Sequence, residues 1–177
     1  MQYRFLLSVV LCSLMAVSCN NNQATNHNGS TDSTLDPQAS PSGSLDVKPL
    51  SGYFVKNTIT VNDSLTFWVI DNAKTFDSLF GVGKTMNNTI DQPDFGTQLV
   101  IAATMPATYY GTQIELSSAT IDNLTNNATL RFEAPANQEK GSAAIMPLWL
   151  GAIPKTGKSI IKLYTGEHLS TTVHEQP

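Results

Sequence analysis

The sequence predicts a mostly β domain with one short helix, built as an antiparallel β-sandwich or an open barrel of about seven or eight strands. Three observations predict it. Runs of β-branched and aromatic residues recur from Tyr53 to Tyr164, divided by clusters of Asn, Asp, Pro and Gly. Only around Phe76, Leu79 and Phe80 do apolar residues fall at helical spacing. Gln98 to Ala103, apolar from Leu99 onward, has the length of a central strand buried on both faces.

Met1 to Arg4 carry one positive side chain, Arg4, and an apolar run follows, Phe5 to Val17, broken only by small polar residues. It is shorter than the roughly 20 apolar residues a membrane-spanning helix needs, but it has the flanks of a secretory leader. Residues 1–18 therefore read as a signal peptide. Its end, Ala16-Val17-Ser18-Cys19, resembles the lipobox of bacterial lipoproteins, where small residues precede an acylated cysteine that becomes the mature N-terminus. Ala16 stands where that motif most often has leucine. Cys12 follows bulky Leu11, which should block cleavage there, so it leaves with the leader. The resemblance implies lipidation of Cys19; the alternative is an ordinary small-residue cut that leaves Cys19 a free thiol. Each buried methylene is worth about 0.8 kcal/mol, so two or three acyl chains would hold essentially permanently where one binds reversibly. Asn20 is neither the aspartate of an inner-membrane retention signal nor the start of an acidic run. The expected location is the periplasmic face of the outer membrane, with the cell surface as the alternative.

All 14 acidic residues but only nine of the 10 basic ones lie beyond the leader, without a basic cluster. This argues against nucleic acid, which requires grouped Lys and Arg to displace counterions. Lipidation of Cys19 would leave no cysteine for a disulfide or a thiolate site.

Residues 19–47 form the lipidated N-terminus and a polar stretch, Asn20 to Val47, rich in Asn, Ser, Thr, Asp and Gln. Such a segment cannot bury enough surface to offset the entropy of ordering it. It is expected to be a tether with a reach on the order of 30 Å. His27 within it has no neighbouring ligand type.

Residues 48–172 form the single globular domain, and 173–177 a C-terminal tail. Tyr53 to Lys56, Thr58 to Val61 and Leu65 to Ile70 read as strands, the last two joined as a hairpin by Asn62-Asp63-Ser64. Asp71-Asn72 caps the helix and Gly81 stops it. Gly81 to Gly96 is a loop. After the central strand come Thr112 to Ile121, Ala128 to Phe132, Ala143 to Leu150 and Ser159 to Tyr164, with Asp122-Asn123 and Ala134 to Gly141 as breaks.

Candidate chemistry yields mostly to simpler readings. No histidine lies between Lys48 and Glu167, which removes Ser or Cys triads and most zinc sites; His168 and His174 fall at the C-terminal end. Gly81-Val82-Gly83-Lys84-Thr85 lacks the first glycine of a phosphate loop, has Ser78 in its place, and follows a helix instead of opening one. Asp91 and Asp94 lack the dense spacing of a calcium loop and read as turn caps. Glu115 and Glu133 would form a cross-strand carboxylate pair like that of a glycosidase, but each alternates with apolar neighbours as on a solvent face. Trp149, between Leu148 and Leu150, reads as core. Tyr109, Tyr110 and Gly111 form an aromatic loop tip that is either a contact surface or packed onto the domain. No cofactor and no metal is expected. Asp32-Ser33-Thr34, Asp63-Ser64-Leu65 and Asp77-Ser78-Leu79 resemble an O-glycosylation motif of some Gram-negative secreted proteins.

Trp68-Val69-Ile70 followed by Lys74 to Gly81, Pro93-Asp94-Phe95 leading into Leu99 to Ala102, Thr112 to Leu116, and Ile153-Pro154-Lys155 before the final strand together resemble the PrcB-like family. These are lipoprotein subunits that stabilise a partner protease complex. The likeness spans roughly residues 65 to 165, at scaffold positions. Where the family often has a glycine pair and a tyrosine, this chain has Ala107-Thr108-Tyr109-Tyr110-Gly111. The resemblance implies that Asp94 caps a buried turn and that Phe95 plugs the core. It also implies a non-catalytic module, docking on a secreted or envelope protein such as a peptidase through loop 104–111 and adjacent strand edges. The alternative is a glycan- or envelope-binding structural lipoprotein using Tyr109 or Tyr110. A third reading is an enzyme with a carboxylate pair at Glu115 and Glu133.

Overall fold

The computed structural model describes residues 41–83, 89–157 and 159–175, within the compact unit Ala39–Pro177. The leader, Cys19, the first part of the tether, Lys84 and Thr85 lie outside the described residues.

The elements in chain order are β1 (Ser42–Ser44), β2 (Lys48–Pro49), β3 (Tyr53–Val55), β4 (Thr66–Ile70), α1 (Ala73–Leu79), β5 (Phe80–Val82), β6 (Gln98–Thr104), β7 (Thr108–Tyr110), β8 (Glu115–Asp122), β9 (Ala128–Glu133), β10 (Lys140–Ile145), β11 (Leu148–Pro154), β12 (Ile160–Thr165) and β13 (His168–His174). The fold is mostly β with one short helix. The described residues form a five-stranded sheet, β1-β8-β9-β12-β13, a four-stranded sheet, β2-β11-β6-β4, and two ribbons, β10-β7 and β3-β5. Pairing is antiparallel everywhere except between β9 and β12, which run parallel from Ala128↔Ile161 to Phe132↔Thr165. That departs from the all-antiparallel expectation. The chain leaves the five-stranded sheet after β9 and returns only after β10 and β11.

Two apolar clusters make the core. In the first, Leu99, Ile101, Ala103 and Ile153 of the four-stranded sheet pack with Leu130, Phe132, Ile161 and Leu163 of the five-stranded one. In the second, Ile70, Val100, Ala102, Leu150 and Ala152 pack with Val55, Phe76 and Phe80. Consecutive residues of β6 thus enter opposite clusters, which is why its sequence is apolar without alternation. It is paired on both sides, with β11 and β4.

The helix forms where its period places it. Asn72 Oδ1 accepts the Thr75 amide at 2.8 Å, and Phe76 is its buried residue. The stop comes one residue before Gly81: Phe80 is already extended and pairs with Val55. So β3 pairs with β5, and the hairpin expected from Thr58–Val61 and Leu65–Ile70 does not form. Residues 58–61 are coil, with Ile59 against the second cluster and Val61 buried. Their apolar content serves burial without a ladder. The strand expected over Ala143 to Leu150 is broken between β10 and β11 by Met146-Pro147, as proline offers no amide to a ladder.

Both domain limits also move outward. β1 pairs with β8, and Leu45 is 8% exposed in the first cluster, so the ordered part starts before Lys48. At the other end, β13 reaches His174, and Glu175 Oε2 accepts from Thr156 Oγ1 at 3.0 Å and Ser159 Oγ at 2.8 Å. Residues 173–175 thus belong to the domain and not to a tail. Backbone pairing with Thr120–Asp122 and with Ile160–Thr165 orders these segments although they carry little apolar pattern.

Candidate functional site

The β6–β11 ladder runs from Gln98↔Pro154 to Thr104↔Leu148, and β4 begins opposite its end, Thr66↔Thr104. Past that point the same two chain segments break at Met105–Ala107 and Met146–Pro147, then pair again as β7 and β10. The β7–β10 ribbon is therefore an arm that continues the central ladder beyond its sheet. Pro106 and Pro147 sit in the break, and Thr104 Oγ1 donates to Pro147 O at 2.7 Å, a buried bond that pins the root of the arm.

Only Lys140↔Tyr110 and Ile145↔Thr108 are in register, so β10 covers with six residues what β7 covers with three. The longer strand must arch away. All six β10 residues are exposed; Tyr109 and Tyr110 are 47% and 46% exposed, and Ile145 is 69% exposed. Between the strands and the preceding loop lies a groove of about 450 Å³ lined by Tyr109, Tyr110, Gly111, Asn137, Glu139 and Lys140, among others. The Lys140 ammonium lies 4.8 Å from the Tyr109 ring centroid, a cation–π contact. A tight turn closes the β7 end, where Thr112 N donates to Tyr110 O at 2.6 Å. Gly111 lies against the Asn137 side chain: a Cβ there would stand 2.6 Å from Asn137 Nδ2, so a larger residue would displace that amide from the groove.

Of the residues singled out by sequence, Tyr109, Tyr110 and Gly111 thus meet at one groove. Asn137, Glu139 and Lys140 were not singled out. They fall in or beside a segment that reads as a loop, and only the long-range pairing brings them opposite the tyrosines.

The carboxylates have other work. Asp91 Oδ2 accepts from Ser51 Oγ at 2.7 Å and Ser51 N at 3.0 Å, which holds its carboxyl below the usual range. Asp94 accepts from Thr97 Oγ1 and Gly96 N, both at 2.9 Å, with the same consequence. Asp94 caps its own turn as expected, whereas Asp91 holds Ser51 instead. Asp94 is exposed, so its turn is not the buried one that the resemblance implies. Phe95 packs on the second cluster, 5.7 Å from the Phe76 ring, and Lys155 Nζ donates to Phe95 O at 2.7 Å. Glu115 and Glu133 are direct register partners at the end of β8–β9, both exposed. Directly opposed like charges disfavour pairing. Trp149 packs its ring edge-on against Phe132, centroids 4.9 Å apart, at the margin of the first cluster. His168 and His174 stand at opposite ends of β13. Among the described residues, no three His, Cys, Asp or Glu side chains come together as metal ligands, and no helix is long and apolar enough to cross a membrane.

No protein-family model, curated protein or solved structure matches the chain.

Proposed function

We propose that the chain is a membrane-anchored bacterial lipoprotein acting as a non-catalytic protein-binding module, which docks through the β7–β10 arm on a secreted or envelope protein such as a peptidase. One observation carries the reading: the arm extends the central ladder past its sheet and exposes Tyr109, Tyr110 and Ile145 around a groove. Exposed tyrosines on a rigid support bury much area at little entropic loss, which suits a protein contact. The lipobox-like Ala16 to Cys19 supports anchoring at Cys19, and Asn20 supports the periplasmic face of the outer membrane. The likeness to PrcB-like subunits supports a protease-complex accessory role. Asp91 spends its acceptor on Ser51 and Asp94 on its own turn, which supports a module without acid–base chemistry there. At the level of architecture we read the two large sheets, packed through the first apolar cluster, as a β-sandwich carrying the arm at one end.

The test is a photo-reactive residue at position 109, crosslinked in intact cells. A single envelope peptidase captured at that position, and lost when Ile145→Asp is added, is the expected result. Recovery of no protein in stoichiometric amount overturns the reading.

A second reading, glycan binding, is favoured by the mixed chemistry of the same groove, where two tyrosines share the lining with the Asn137 amide and the Glu139 carboxylate. Saturable binding on sugar arrays that Tyr109→Ala abolishes would establish it.

A further inference from the structure

An unpaired strand edge offers a row of backbone donors and acceptors to any other extended chain, and proteins blunt such edges with short strands, charges, prolines or bulges. Three of the four edges of the two large sheets carry such a device. β1 has three residues, β2 is the pair Lys48–Pro49, and β13 is interrupted by a register shift opposite Leu163 and Tyr164. β4 has none. It is Thr66-Phe67-Trp68-Val69-Ile70, without charge or proline, and it pairs with β6 in continuous register from Thr66↔Thr104 to Ile70↔Val100. Among the described residues, no backbone hydrogen bond runs from β4 to any segment other than β6.

The side chains beside this edge are only half-buried from Thr66 to Val69. Below it, at the mouth between the two large sheets, Val69, Leu99 and Val173 line a groove of about 380 Å³ with Asp71, Lys155 and Glu175 among its other lining residues.

We propose that a second copy of this chain adds here, β4 to β4, antiparallel about a two-fold axis, joining the two four-stranded sheets into one. Charge and symmetry choose this occupant. The chain is acidic overall, but β4 carries no charge, so an identical strand meets no like charge along the edge. An antiparallel two-fold pairing also keeps matching faces together. Phe67 and Val69 pack toward the first cluster, and the copy's Phe67 and Val69 arrive on that same face, over the mouth that Val69 and Val173 leave open. Trp68 packs with the second cluster and meets the copy's Trp68 on the other face. The arm takes no part, so this contact is independent of the docking proposed above.

The test is sedimentation equilibrium of the full chain in density-matched detergent over a concentration series, with amide hydrogen exchange over Thr66–Ile70. A two-chain mass that dissociates on dilution is expected, with the outward-facing β4 amides exchanging more slowly in the concentrated sample. Val69→Lys should raise the dissociation constant at least about tenfold, since an inward charge on an edge strand opposes pairing. Thermal unfolding checks that the variant folds. If it does not fold, the exchange of the unaltered chain decides alone. A one-chain mass at every concentration overturns the proposal, as does a dimer whose β4 amides exchange at the same rate at every concentration.

Discussion

Asp91, Asp94, Asp122 and Glu175 all bind protons less readily in the folded chain than they ordinarily would. At Asp122 the cause is the Thr125 and Leu124 amides. At Glu175 partial burial pushes the other way, and the bonds from Ser159, Gly157 and Thr156 outweigh it. A carboxyl with a lowered folded pKa stabilises above its unfolded value, near 4, and that contribution fades as pH falls through the folded value. Stability should therefore drop below about pH 4. Glu175→Gln should unfold about 1 kcal/mol more easily at pH 7 and show a shallower acid loss, as read from urea midpoints across the series. Tyr109 is a contrasting case, because it is exposed at the arm. Tyr109→Ala should change stability by less than about 0.5 kcal/mol while abolishing capture of the partner, a split that urea titration beside pull-down would reveal.

At the scale of elements, the arm depends on its root. Thr104→Val removes the donor to Pro147 O and leaves a buried carbonyl unpaired, which should lower stability by about 1–3 kcal/mol and speed amide exchange in β7 and β10. The same elements show which parts of the fold were legible. β6 could be read because burial on both faces writes an unbroken apolar run, Leu99 to Ala103. α1 could be read because Asn72 and Phe76 mark a cap and a face. β1, β2 and β13 could not, since Ser42–Ser44, Lys48–Pro49 and His168–His174 are ordered by a neighbour's backbone and carry little apolar pattern. Half of the candidate site was visible for a similar reason. Tyr109-Tyr110-Gly111 is a local signature, whereas Asn137, Glu139 and Lys140 acquire their meaning only from a pairing across some 30 residues of chain.

In the whole domain, Phe132 holds a central place. It is fully buried, and its ring meets Phe67 at 5.3 Å and Trp149 at 4.9 Å, so one side chain of the five-stranded sheet touches two strands of the other. Phe132→Ala should lower stability by about 3–5 kcal/mol, with tryptophan fluorescence and far-ultraviolet circular dichroism losing signal in one transition if the two sheets unfold together. The parallel pair β9–β12 also makes the five-stranded sheet depend on a contact between distant parts of the chain. Ala128 meets Ile161 across a stretch of chain that contains the arm and β11, so forming this pair carries the entropic cost of closing a long loop. Topologies of this kind fold over milliseconds to seconds instead of microseconds. Without β12, one side of β9 has no partner in the sheet, so a chain cut short before Ile160 would leave the backbone of β9 open to any other extended strand.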